Sequence, residues 1–167
     1  YSYQTYARPA SLLKDFLTPQ VKNLFAYTLY QHSVQFEHFW SPIYDSAYQQ
    51  VNGAIVTDVV YNIGDVLLAY SLWQETADER YRYMRAYKRY MDRYFSYTVG
   101  TNDGIKPDGT GYHHWTAYNN NMYSFNTAAE IVSYLTGSAF QVEQSSYKVF
   151  RDSFFTQFVQ SNDYFFR

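Results

Sequence analysis

Apolar residues recur every three or four positions along nearly the whole chain, the period of a helix that buries one face. Thr18-Pro19 offers an N-cap followed by proline at the first helical position, and Val21, Leu24, Phe25 and Leu29 then share a face. Ser41-Pro42 marks a break. Thr57-Asp58 precedes Val59, Val60, Ile63, Val66, Leu67 and Tyr70, a stripe that predicts a long helix. Thr76-Ala77-Asp78-Glu79 is a capping box, and the helix it starts carries Tyr83, Met84, Tyr87, Tyr90, Met91 and Tyr94 inward to an end near Gly100. Another helix runs from about Ser124 through Ala128, Ile131, Val132 and Leu135, with Gly137 as the residue beyond its cap. The last starts near Ser145 or Ser146 and holds Val149, Phe150, Phe154, Phe158 and Val159. No β-hairpin or alternating strand stands out. The pattern predicts an all-α fold of antiparallel helical pairs, part of an incomplete α/α toroid.

Residues 101–119 break the helical period. Thr101-Asn102-Asp103-Gly104 and Pro107-Asp108-Gly109-Thr110-Gly111 are turn chemistry, and the stretch to Tyr123 is expected to be loop lining a groove. Two His, three Tyr, a Trp and three consecutive Asn are concentrated there, between two helices. Loops held by a rigid frame are where binding and catalytic groups gather. On the residues alone, His113 and His114 are either structural histidines or catalytic ones. With no Cys and no Glu-x-x-His companion they make a poor metal site, so no metal or cofactor is expected.

Composition narrows the function. Twenty-one Tyr, thirteen Phe and three Trp bring the aromatic share to 22%, more than a core of this size needs. Tyr joins a flat apolar body to a polar tip, which suits grooves that stack on sugar rings, though a protein interface uses the same residues. A net charge of −2 excludes a globally basic nucleic-acid binder. The absence of cysteine excludes disulfides, thiolate metal sites and a cysteine nucleophile. Charges interrupt every hydrophobic window, so no membrane span is expected. Arg80, Arg82, Arg85, Lys88, Arg89 and Arg93 interleave with tyrosines as the solvated face of a helix, with an anionic-polymer patch as the alternative. His32, His38 and Trp73 read as structural. The 167 residues suffice for one core and are read as a single segment, 1–167. Its ends, Tyr1-Ser2-Tyr3 and Phe165-Phe166-Arg167, are expected to be cuts from a longer multidomain chain.

The string from Asn102 to His114, followed by Tyr118 and Tyr123-Ser124-Phe125, resembles the active-site loop of the chondroitin/hyaluronate lyases (polysaccharide lyase family eight). It is closest to the chondroitin sulfate ABC lyase branch. That family carries Asp-Gly-Ser/Thr, a short aromatic stretch, a catalytic His, and a catalytic Tyr seven to nine residues later. Here His114 stands six residues after Asp108, and Tyr123 nine residues after His114. Residues 128–140 resemble the helix and turn that follow, and thinner similarity reaches back to about Thr18. The family also places an Asn shortly before a Thr-Asp pair. Thr57-Asp58 is present, but Ile55 stands at the expected Asn position, leaving Asn52 or Asn62 for the role. The family's Arg and Glu fall beyond Arg167.

The resemblance implies an α/α-toroid catalytic domain that cleaves uronic-acid glycosaminoglycans by β-elimination, with His114 and Tyr123 catalytic and no cofactor. Asn62, Trp115, Tyr118, Asn119 and Asn120 are the expected substrate contacts. The implied partner is an acidic polysaccharide, met in a secreted or periplasmic setting. His113 is expected to point away from the cleft and to be replaceable. Two rivals stand beside this reading. A glycoside hydrolase of toroid type would need paired carboxylates, for which Asp103 and Asp108 are the candidates. A non-catalytic carbohydrate-binding helical module would use the same aromatic cleft without cleavage.

Overall fold

A computed structural model describes residues 4–33, 53–113, 116–118 and 122–161. Within them lie six α-helices: α1 (Gln4–Leu13), α2 (Pro19–Ser33), α3 (Gly53–Leu72), α4 (Ala77–Tyr94), α5 (Met122–Leu135) and α6 (Gln144–Ser161). A short 3-10 turn, Lys14–Phe16, joins α1 to α2. Three short strands, β1 (Gly104–Ile105), β2 (Gly111–His113) and β3 (Thr116–Tyr118), fill the gap between α4 and α5. The fold is all-α with a small sheet inserted. Ser41-Pro42 and His38 lie outside the described residues.

Helix α3 is the axis of the packing and touches α1, α2, α4 and α5. Val60, Ile63, Asp65, Val66 and Leu67 are all buried, which leaves this helix almost no wet face. It begins at Gly53, so Thr57-Asp58 lies inside it rather than capping it. Helix α4 starts as the sequence predicts: the Thr76 hydroxyl accepts from the Glu79 N–H at 3.1 Å while the Glu79 carboxylate accepts from the Thr76 N–H at 3.1 Å. Tyr70 meets Tyr83 edge-on near the turn, and further away the Tyr87 hydroxyl donates to the Gly64 carbonyl at 3.0 Å. That pairing order makes α3 and α4 an antiparallel hairpin. Burial drives the Tyr87 phenol far above its ordinary pKa, so it serves as a neutral donor.

Several boundaries and faces differ from the pattern reading. Helix α4 stops at Tyr94, not near Gly100, because the following chain is drawn to the sheet: the Thr98 N–H donates to the Ile105 carbonyl at 2.8 Å, and Tyr97 bridges to Ile105. Helix α2 turns Leu29 and Ser33 inward and leaves Val21 and Leu24 exposed. Helix α6 turns Phe150, Ser153 and Gln157 inward, while Phe154, Phe158 and Val159 are exposed. The inward polar pair has a reason, described below. Helix α1 had no apolar stripe to announce it: its buried residues are Ala7 and Ala10, small enough for close approach to α3.

The exposed arginines of α4 (Arg82, Arg85, Arg89, Arg93) fit a solvated face. Lys88 is engaged by Asp92 at 2.7 Å and Glu143 at 2.5 Å, and Arg80 donates to the carbonyls of Gln74 and Glu75. Trp73 is core: it is buried against Phe25, with the Lys14 ammonium 5.4 Å from its ring. Among the described residues no helix is long and apolar enough to cross a membrane.

Candidate active site

The segment read as loop is a β-meander, order β1-β2-β3, with Gly104 opposite Tyr112, Ile105 opposite Gly111, and Tyr112 opposite Ala117. Its first turn is built by Pro107-Asp108-Gly109. The Gly109 N–H donates to the Lys106 carbonyl at 2.8 Å, the Lys106 N–H donates to the Thr110 carbonyl at 2.8 Å, and Gly109 has φ +84°. Proline in the first corner and a left-handed glycine at the end give a tight hairpin with a bulge. The Asp108 carboxylate accepts from the Thr110 hydroxyl at 2.7 Å and from its N–H at 3.0 Å, bonds that hold its pKa below the usual carboxylate range. Asp108 is therefore turn chemistry.

The turn docks on α6. The Gly109 carbonyl accepts from the Ser153 hydroxyl at 2.8 Å and from the Gln157 amide at 3.3 Å, which explains why α6 turns polar side chains inward. On the other side, the Lys106 ammonium donates to the carbonyls of Gly100 and Asn102 and to the Thr98 hydroxyl, and lies 4.9 Å from the Tyr112 ring centre. Desolvation lowers the Lys106 pKa, against the pull of Asp103 and Asp108. The first turn of this eight-residue meander is thus fastened to α6, and Lys106 ties it to the segment that follows α4.

The register extends one step beyond the paired residues and sets Asp103 opposite His113. Both side chains are buried, and the Asp103 carboxylate bonds to His113 Nδ1. Because a carboxylate only accepts, this bond puts the hydrogen on Nδ1. Asp103 is thus committed to an imidazole, which removes it, like Asp108, from any pair of hydrolytic carboxylates.

Tyr123 is the second residue of α5, not the end of a loop. Its ring is half-buried between two others. The Tyr61 ring of α3 stands edge-on to it at 4.7 Å and 89°, and the His113 ring of β2 lies at 5.6 Å and 55°. Just behind it, the hydroxyls of Ser124 and Tyr94 share a buried hydrogen bond of 2.5 Å, tying the start of α5 to α4. Burial pushes the Tyr94 phenol well above its usual value despite that bond, so Tyr94 anchors without ionising. Tyr61 is exposed, so the cluster opens to solvent on the α3 side.

Of the residues expected at the site, Tyr123 lies where Tyr61 of α3 meets the start of α5, and Asn62 is the half-buried residue that follows Tyr61 along α3. The backbone of Tyr118 pairs with Gly111 in β3. His114, Trp115, Asn119 and Asn120 lie outside the described residues. His113 turns inward, away from solvent, and its ring lies against Tyr123. Pattern reading missed Asp103, Tyr61 and the Tyr94–Ser124 anchor. Asp103 had a signal available, since a hairpin centred on Asp108 puts residues 103 and 113 across from each other.

The arrangement offers a phenol on a fixed helical turn, walled by two rings and backed by a buried carboxylate–imidazole pair. Residues 1–167 match the family model described as "Lyase, catalytic". The chain belongs to that lyase catalytic-domain family. No curated protein matches it. A lyase breaks a bond without adding water, so it needs a group that takes a proton and one that returns it, a role open to a positioned phenol.

Proposed function

We propose that this chain is a polysaccharide lyase that cleaves uronic-acid glycosaminoglycans, of the chondroitin/dermatan sulfate or hyaluronan type, by β-elimination. Membership of the lyase family over the whole chain carries the reading. The phenol of Tyr123, half-buried on the first turn of α5 beside the exposed Tyr61, supplies its chemistry.

In the reaction, a base takes the C5 proton of the uronate. The electron pair left behind forms the C4–C5 double bond, and the C4–O bond breaks with its electrons passing to the leaving oxygen, which is then protonated. The C5–H is a weak acid, so donors around the carboxylate must carry the developing enolate-like charge, as an oxyanion hole does in acyl transfer. The family resemblance leaves that duty to Asn62 of α3 or to Asn52. Tyr123 removes the proton and returns it to the leaving oxygen in one division of labour; in the other, neutral His114 is the base and Tyr123 the acid. Trp115, Tyr118, Asn119 and Asn120 would hold neighbouring sugars, and a secreted or periplasmic setting follows from where such polymers are met.

Incubating the intact protein with chondroitin sulfate, dermatan sulfate and hyaluronan tests the class. Elimination predicts the ultraviolet absorbance of an unsaturated uronate, one for each new reducing end. New reducing ends without that absorbance would mean hydrolysis, and binding without new product would mean a carbohydrate-binding module.

A further inference from the structure

Burying a carboxylate against an imidazole is costly, and an apolar cross-strand pair would close the β1–β2 hairpin at least as well. Yet Asp103 and His113, with side chains 4% and 1% exposed, occupy that position. The His113 ring, its flip and tautomer set by Asp103, then forms the wall of Tyr123 on the β2 side, while Tyr61 forms the wall on the α3 side. Asp103 is fixed in turn, because the Asn102 carbonyl beside it accepts from Lys106. A line of contacts therefore runs from Asp103 through His113 to Tyr123.

We propose that His113, held by Asp103, is a positioning residue that sets the orientation of the Tyr123 phenol. This rests on the reading of Tyr123 as an acid–base group. A phenol that must reach both the C5 proton and the leaving oxygen has little tolerance in angle, whereas the rest of a polymer binds without regard to it. Loss of the positioning wall therefore falls on turnover, not on binding.

The test compares the intact protein with Asp103→Asn, His113→Leu and the double variant. Steady-state turnover is measured on whichever uronate polymer is cleaved, and the Tyr123 ring resonances are followed by NMR with ring-labelled tyrosine. Asp103→Asn keeps the shape of the side chain, so it carries the test alone should His113→Leu not fold. The expected result is a kcat lower by roughly ten- to a hundredfold with KM within about twofold. The double variant should be no worse than the poorer single one, and the Tyr123 resonances should move in both single variants. Unchanged kcat, a loss confined to KM, or Tyr123 resonances identical to the parent's would each overturn the proposal. The two readings fail separately. A parent that makes no unsaturated product removes the lyase reading and leaves the NMR comparison to decide whether His113 orients Tyr123. An active parent whose Asp103→Asn variant is equally active removes only the positioning role.

Discussion

A methyl group added at Gly109 would sit 2.7 Å from Thr156 Oγ1 and 2.9 Å from Thr156 Cβ, on a backbone at φ +84°. At Gly137 the backbone is similar, φ +78°, but nothing lies within 4 Å. The pair separates backbone strain from overpacking. Gly137→Ala should cost only the left-handed strain, about 1 kcal/mol. Gly109→Ala adds a clash with helix α6 and should cost roughly 2–4 kcal/mol. Equal losses in urea denaturation of the two variants would mean that the turn does not press on α6 as described. Single residues were also where the sequence was most legible. The Thr76 cap, Gly137 after α5 and the Pro107-Asp108-Gly109 turn carry their geometry in their own chemistry, independent of distant partners. The contact of His113 with Tyr123 was not legible, for the opposite reason. What turns the His113 ring inward is Asp103, ten residues away and adjacent only once the hairpin closes.

Elements were legible in proportion to their apolar stripes. Helices α3, α4 and α5 bury runs of large apolar residues; those that α1 buries are alanines. Two- and three-residue strands are too short to display alternation, and α1 is held by small residues and by charge. Arg8 of α1 donates to the buried Asp65 of α3 at 2.9 Å and also bonds to Glu130 of α5, clamping three helices. Burial raises the Asp65 pKa above its ordinary 3.8, more than the Arg8 bond lowers it. The folded-state value is therefore the higher one. Stability from this group is fully present below the unfolded-state value and is lost as pH rises through the folded-state value. Arg8→Met removes the partner that limits this loss. Arg8 is partly exposed, so solvent screening brings the cost at neutral pH below that for a fully buried pair, to roughly 2 kcal/mol, and it should shrink as pH falls and Asp65 protonates. A thermal-melt series with the same deficit at neutral and at acid pH would show that Asp65 does not depend on Arg8.

For the molecule as a whole, a helical frame centred on α3 carries a small meander fastened to α6 by the Gly109 carbonyl, while Lys106 ties it to the segment that follows α4. Helical periodicity announced the frame, and the family resemblance carried by Asp108, His114 and Tyr123 is the source of the proposed chemistry. The convergence of α3, β2 and α5 on Tyr123 was not readable, because it depends on how three separately coded elements dock. The central claim is that the Tyr123 phenol moves the proton in β-elimination. Tyr123→Phe keeps the ring between Tyr61 and His113 and removes only the hydroxyl, so it is the most direct test. Unsaturated uronate formation and polymer affinity should be measured together on the intact protein and this variant. The account predicts product formation lower by at least about a thousandfold with affinity within about twofold of the parent. A Tyr123→Phe protein that still releases unsaturated uronate at the parent's rate would contradict it.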